Sequence, residues 1–221
     1  DPFEDFFGRR HPQEFVEVKE EAFLALTVDK NEVYVGEGFT TTLGHYIAAN
    51  DHTTLSRHEN ISEKIAEKKK EITPKNFWEE NFKITNLESN NVEINKKRYR
   101  QYKLFQATFF PLNNEPINFQ SVTLDMIKYK VAKNPSFFGR SRQEGSKVFK
   151  TTPKNVTVKS LPPHPLKDKV PVGKYLLSEE ISSEDLKTGQ SFTYQFTVQG
   201  EGNISAIDNP TVVESGDFDF Y

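Results

Sequence analysis

Residues 39–47 place Phe39, Thr41, Leu43, His45 and Ile47 on one side of an extended chain and Thr40, Thr42, Gly44 and Tyr46 on the other. A period of two over nine residues belongs to a strand with one buried face and cannot be satisfied by a helix. The same grammar recurs on both sides of it. Residues 22–28 are β-prone, Asp29-Lys-Asn-Glu32 supplies a turn, and Val33-Tyr-Val35 resumes extended structure before Gly36. Residues 98–110 and 117–131 are the longest runs of β-branched and aromatic side chains. Pro111-Leu-Asn-Asn-Glu-Pro116 between them predicts a hairpin with a longer loop, and a change of apolar face between Phe119 and Val122 predicts a bulge near Gln120-Ser121.

One segment breaks the pattern. Asn60 followed by Glu63 resembles a capping box, and Ile61, Ile65 and Ile72 stand at helical spacing, which predicts a short exposed helix near 60–73 that Pro74 ends. Phe77-Trp78 restarts apolar structure, with strands expected at 82–87 and 92–94 and one or two more within 147–159. Only 35% of the 221 residues are hydrophobic, so the core must draw on 19 Phe, 8 Tyr and one Trp.

Domain organisation follows from composition shifts. Residues 1–14 mix Pro, Gly and charge with Phe3, Phe6 and Phe7 and read as a linker or docking arm, and residues 15–160 as a first β-sandwich module carrying the helical insertion. Leu161-Pro-Pro-His-Pro165 fixes φ over consecutive prolines and reads, with the residues to 171, as a stiff joint. Residues 172–221 supply strands at 173–181 and 191–199, too few for a closed sandwich, so a second module is expected to be truncated. Gly36-Glu-Gly-Phe39-Thr40 is echoed by Gly189-Gln-Ser-Phe192-Thr193, as a repeated entry strand requires. The fold class is therefore all-β: tandem immunoglobulin-like sandwiches, the second truncated.

Charge and motifs exclude more chemistry than they suggest. A formal net charge of -3 names neither nucleic acid nor an anionic membrane surface as a partner, and the lack of Cys removes disulfides, thiolate catalysis and thiolate metal sites. His58-Glu59 opens like a zinc-protease helix, but Ser62 stands where a second imidazole is needed, so no metal is assigned to it or to the nearby Asp51 and His52. Glu79 and Glu80 adjoin Trp78, yet neighbours on a strand point to opposite faces and cannot form a glycosidase pair. Lys96, Lys97, Arg98, Arg100 and Lys103 interleave with Tyr99 and Tyr102, but alternation separates the two rings. Asn60-Ile-Ser62, Asn155-Val-Thr157 and Asn203-Ile-Ser205 match the glycosylation acceptor pattern. No catalytic residue, cofactor or metal site is expected. The expected interaction residues are clustered aromatics: Phe3, Phe6, Phe7, Phe77, Trp78, Phe137 and Phe138.

Several stretches are specific enough to suggest a family. Leu161-Pro-Pro-His-Pro-Leu166, Val172-Gly-Lys-Tyr175, Thr188-Gly-Gln-Ser-Phe-Thr-Tyr194 and Gly200-Glu-Gly-Asn-Ile204 through Pro210 resemble, in that order, the bacterial BatD aerotolerance (oxygen tolerance) proteins. Asp1-Pro-Phe-Glu-Asp-Phe-Phe7, Val33-Tyr-Val-Gly-Glu37, Phe77-Trp-Glu79 and Phe110-Pro-Leu112 extend the resemblance over nearly the whole sequence. The chain departs from the family pattern at the lysine-rich stretch around Lys68 and at Asn114-Glu-Pro116. The resemblance implies immunoglobulin-like modules on the periplasmic side of a bacterial envelope, anchored to the membrane through segments outside these residues. It implies no enzyme, and as partners it implies von Willebrand-type and TPR-containing Bat proteins, with self-association as a further expectation. The other class left open is a carbohydrate-binding sandwich in which Trp78 or Tyr102 stacks on a sugar ring.

Overall fold

The computed structural model describes residues 13–51, 55–58, 60–84, 86–134, 141–167, 169–208, 211 and 216–219. Its largest sheet has five strands: β2 (Ala22–Val28), β4 (Phe39–Ala48), β8 (Lys97–Pro111), β6 (Phe77–Asn81) and β7 (Ser89–Ile94). β6 and β7 pair in succession along the same side of the long β8, and all the pairings are antiparallel. The opposing layer contains two groups. In the first, β10 (Thr123–Ala132) pairs with β11 (Arg142–Lys150) and with the short β1 (Phe15–Val16) and β5 (Leu55–Ser56). In the second, β12 (Lys154–Lys159) pairs antiparallel with β9 (Ile117–Phe119) and parallel with β3 (Glu32–Tyr34).

Alternation on β4 decides what lies between the layers. Phe39, Leu43 and His45 are buried, and Phe39 and Phe109 of β8 both approach Phe119 of β9, with ring centroids 6.2 and 6.0 Å apart. Leu24, Leu26, Val122, Leu124, Met126, Phe149 and Val156 belong to one apolar cluster drawn from both layers, so the described residues up to 159 form a β-sandwich. Ring-rich packing lets a sequence of modest apolar content exclude water from a continuous interior.

Several expectations change. The runs at 98–110 and 117–131 do not form a hairpin, because β8 and the strands after it belong to different layers. The predicted bulge at Gln120-Ser121 is instead a crossing: β9 pairs with β12, the chain leaves strand geometry at 120–122, and β10 pairs with β11. A face switch in sequence has the same signature whether a strand bulges or changes sheets. The irregularity that does occur lies between Leu43 and Gly44, where β8 contributes the extra residue Leu104. Residues 82–84 and 86–87 are not strand, and the strand of that region is β6. The helix α1 (Ile61–Ile72) forms as expected, but Asn60 makes no side-chain cap; Ile61 and Ile72 anchor the helix in the core while most of its other residues are exposed or half-buried.

Beyond the proline segment, β13 (Gly173–Ile181) and β14 (Tyr194–Gly202) pair only with each other among the described residues. Their register puts Leu177, Glu179 and Ile181 opposite Val198, Phe196 and Tyr194 on one face. This apolar face is open: Leu177 is 63% exposed and Tyr194 55%. The echoed glycines share a conformation, with φ of +80° at Gly36 and +85° at Gly189, which favours glycine in both turns. Phe192, however, precedes β14 and meets Phe218, with centroids 5.7 Å apart. A Cβ on Gly36 would come within 3.1 Å of Val172 Cγ2, so the turn before β4 and the start of the hairpin are in close contact.

Candidate functional site

On the outer face of the five-stranded sheet, a groove of about 650 Å³ runs between β4, β8 and the β13–β14 hairpin. Phe110 forms part of its wall, and its ring lies so close over Gly38 that a Cβ there would sit 2.7 Å from Cε1. Trp78 packs on Phe110, with centroids 5.2 Å apart, and keeps 38% of its surface exposed. Glu80, two positions along β6 and therefore on the same face, lines the groove with Glu201, Lys174 and Val172. Across from them Glu37 bridges the Lys30 ammonium at 3.0 Å and accepts the Tyr34 amide.

The adjacent residues Phe77 and Trp78 thus have different environments. Phe77 turns inward, where its ring meets Phe109 edge-on at 4.8 Å and joins the core. Glu79 likewise turns away from Glu80 and pairs with Lys69 of α1 at 2.8 Å, so the two carboxylates share no space. β6 lies at the margin of its sheet, pairing only with β8 among the described residues, and its other side is a strand edge. Phe3, Phe6, Phe7, Phe137 and Phe138 lie outside the described residues.

The other sequence motifs resolve into structural roles. His58 Nε2 donates to Asp125 Oδ2 at 3.0 Å, and the Ser146 hydroxyl donates to the other oxygen of the same carboxylate. The Ser146 bond, with a further contribution from His58, holds the Asp125 carboxyl below its ordinary value. A nucleophilic triad needs the imidazole between hydroxyl and carboxylate, whereas here the carboxylate is in the middle and the hydroxyl is not activated. The Tyr99 ring packs edge-on against Phe23, outside the sandwich, while Tyr102 faces inward beneath the Arg57 guanidinium at 4.2 Å. The interleaved cations therefore form no continuous stacking platform.

In the sequence His45 is distinguished only as an inward position of the strand at 39–47. It lines a second, solvent-open pocket of about 270 Å³ together with Arg57 and Tyr102. His45 is 1% exposed, and both ring nitrogens lack a hydrogen-bond partner. Burial, reinforced by the Arg57 charge, pulls its pKa down to about 4, so the ring is neutral at pH 7. The only sequence signal was a polar residue at an inward strand position. No family model, curated protein or solved structure matches the chain.

Proposed function

We propose that the chain is a non-enzymatic protein–protein interaction and assembly module of a membrane-anchored bacterial envelope protein resembling the BatD family. In this reading the sandwich and the hairpin are immunoglobulin-like modules in tandem, displayed on the periplasmic side. The partners are von Willebrand-type and TPR-containing Bat proteins.

The observation that carries the reading is Trp78, half exposed on the edge strand β6 beside a groove with both apolar and charged walls. An edge strand offers backbone hydrogen bonds to an incoming segment, and a rigid aromatic beside it supplies contact area at low entropic cost. Titration calorimetry of the 221-residue chain against the soluble parts of those two Bat proteins tests the reading. Micromolar binding to at least one, weakened tenfold or more by Trp78→Ala, is the expected result. Absence of heat with both, under conditions in which all are folded, overturns it.

A second reading, carbohydrate binding, is favoured by the pairing of the accessible Trp78 ring with the groove carboxylates Glu80 and Glu201. A glycan array separates the two readings, because only a sugar site retains glycans through a Trp78-dependent contact.

A further inference from the structure

The hydrogen bonds that flank β6 fix which of its backbone groups face outward. Phe82 donates its amide to the Gln106 carbonyl at 3.1 Å, and Leu112 donates to the Asn76 carbonyl at 3.0 Å. Bonded pairs alternate along an antiparallel ladder, so Trp78 and Glu80 direct their N–H and C=O groups toward β8, and those of Phe77, Glu79 and Asn81 point to the free edge. Side chains follow the same alternation. Phe82 continues the ladder by one bond, which sets Trp78, Glu80 and Phe82 in a row on the outer face of the edge. Trp78 is 38% exposed and Phe82 46%, and Glu80 is exposed between them with no ion pair among the described residues. The groove behind Glu80 reinforces its charge, because its walls carry the carboxylates of Asp29, Glu37, Glu80 and Glu201 against the ammonium groups of Lys30 and Lys174 alone.

We propose that β6 takes up an extended polypeptide segment as a further strand, and that the segment is recognised by one Lys or Arg set opposite Glu80 between apolar residues. The proposal rests on the reading of β6 and Trp78 as an interaction surface and adds to it the chemistry of the partner. The outward N–H and C=O groups of Phe77, Glu79 and Asn81 pair with the backbone of the segment. A long cation directly opposite Glu80 lies diagonal to Trp78 and Phe82 and within reach of both rings, so the carboxylate and two π faces act on the same charge. Apolar residues two positions to either side of the cation cover the rings. On the other face of β6, Glu79 is already paired with Lys69, which leaves that side to small polar residues. A second copy of this chain fits poorly, because pairing β6 with itself over its whole length sets Glu79 opposite Glu79, and like charges directly opposite are destabilising.

The test is a titration of the ¹⁵N-labelled 221-residue chain with two end-blocked peptides, Thr-Val-Thr-Arg-Thr-Val-Thr and the same sequence with Glu in place of Arg, followed by the amide shifts of residues 77–82. The expected result is a saturable response to the arginine peptide, about tenfold tighter than to the glutamate peptide. Glu80→Arg, at an exposed position, is expected to reverse that preference. Asn81→Pro removes one outward N–H while leaving the bonds to β8 in place, and is expected to weaken the arginine peptide about fivefold. No saturable response to either peptide overturns the proposal, whether or not the Bat proteins bind in calorimetry. Equal affinity for the two peptides, or an unchanged preference in a folded Glu80→Arg protein, overturns it as well. Shifts at 77–82 that follow the concentration of the chain alone overturn it in favour of self-pairing.

Discussion

Glu20 and Lys128 form an ion pair in which each side chain is only about a tenth exposed, 10% for the acid and 11% for the base. Lys147 reaches the other carboxylate oxygen of Glu20 at 2.7 Å, so one acid ties the segment before β2 to both β10 and β11. Burial alone would push the Glu20 carboxyl up, but hydrogen bonds from Lys128 and Lys147 outweigh it and hold the pKa down at about 2.

The folded-state value of Glu20 lies below its ordinary 4.5, so its contribution is complete above pH 4.5 and is lost as pH falls toward 2. The full effect is about 3 kcal/mol, read as the difference in urea unfolding free energy between pH 5 and pH 2. Lys128→Met leaves the buried acid with Lys147 alone. It is expected to destabilise the chain by about 3 kcal/mol at pH 7 and to move the acid transition upward.

His45 acts in the window above that one. Its folded-state pKa of about 4 lies below the ordinary 6.5, so the unfolded chain takes up the proton first as pH falls. Stability is expected to be unaffected by this group above pH 6.5 and to decline by about 3 kcal/mol between pH 6.5 and 4. His45→Leu should flatten the profile over that interval and cost little at pH 7, because it removes two unsatisfied polar atoms together with the imidazole.

Tyr46 folds back over Gly44, and a Cβ at position 44 would come within 2.8 Å of its ring. The same ring stacks on Phe23 at 4.7 Å, and its hydroxyl accepts a hydrogen bond from Gln101 Nε2 at 2.8 Å. Gly44→Ala must displace it and is expected to cost about 1–3 kcal/mol. In a Tyr46→Leu background the same substitution should cost much less, and the double-mutant cycle in denaturant measures the coupling.

The hairpin of β13 and β14 has two strands and an open apolar face, an arrangement of marginal independent stability. Its amides are expected to exchange with deuterium at least a hundredfold faster than those of β4 and β8, whose side chains enter the closed core. Equal protection in the 221-residue chain would show that the hairpin unfolds only with the sandwich.

Individual elements were legible where one face dominates. The alternation from Phe39 to Ile47 gave β4 and its inward face, and residues 22–28 gave β2 to the residue, because the rule that buries them is local. Pairing was less legible. Nothing within residues 98–131 states that β8 and β10 lie in opposite layers, since a long polar connector serves a hairpin and a crossing equally well. Of the site, Trp78 was visible as an aromatic on a short strand, but its exposure depends on Phe110 filling the space over Gly38. His45 was not legible as an unpaired imidazole because a polar residue at an inward position has no sequence signature that separates a hydrogen-bonded ring from an unbonded one packed on Phe149.

The close approach of Val172 to Gly36 gives the two halves of the chain a second mechanical connection besides the proline tether. Gly36 also donates its amide to the Pro111 carbonyl at 2.8 Å, at the end of β8. A force applied to the hairpin in the compressive direction therefore bears on the turn that starts β4 and on the last residue of β8. Even one methyl group at position 36 would act as a wedge against Val172, a residue of the groove wall, and tilt the outer ribbon.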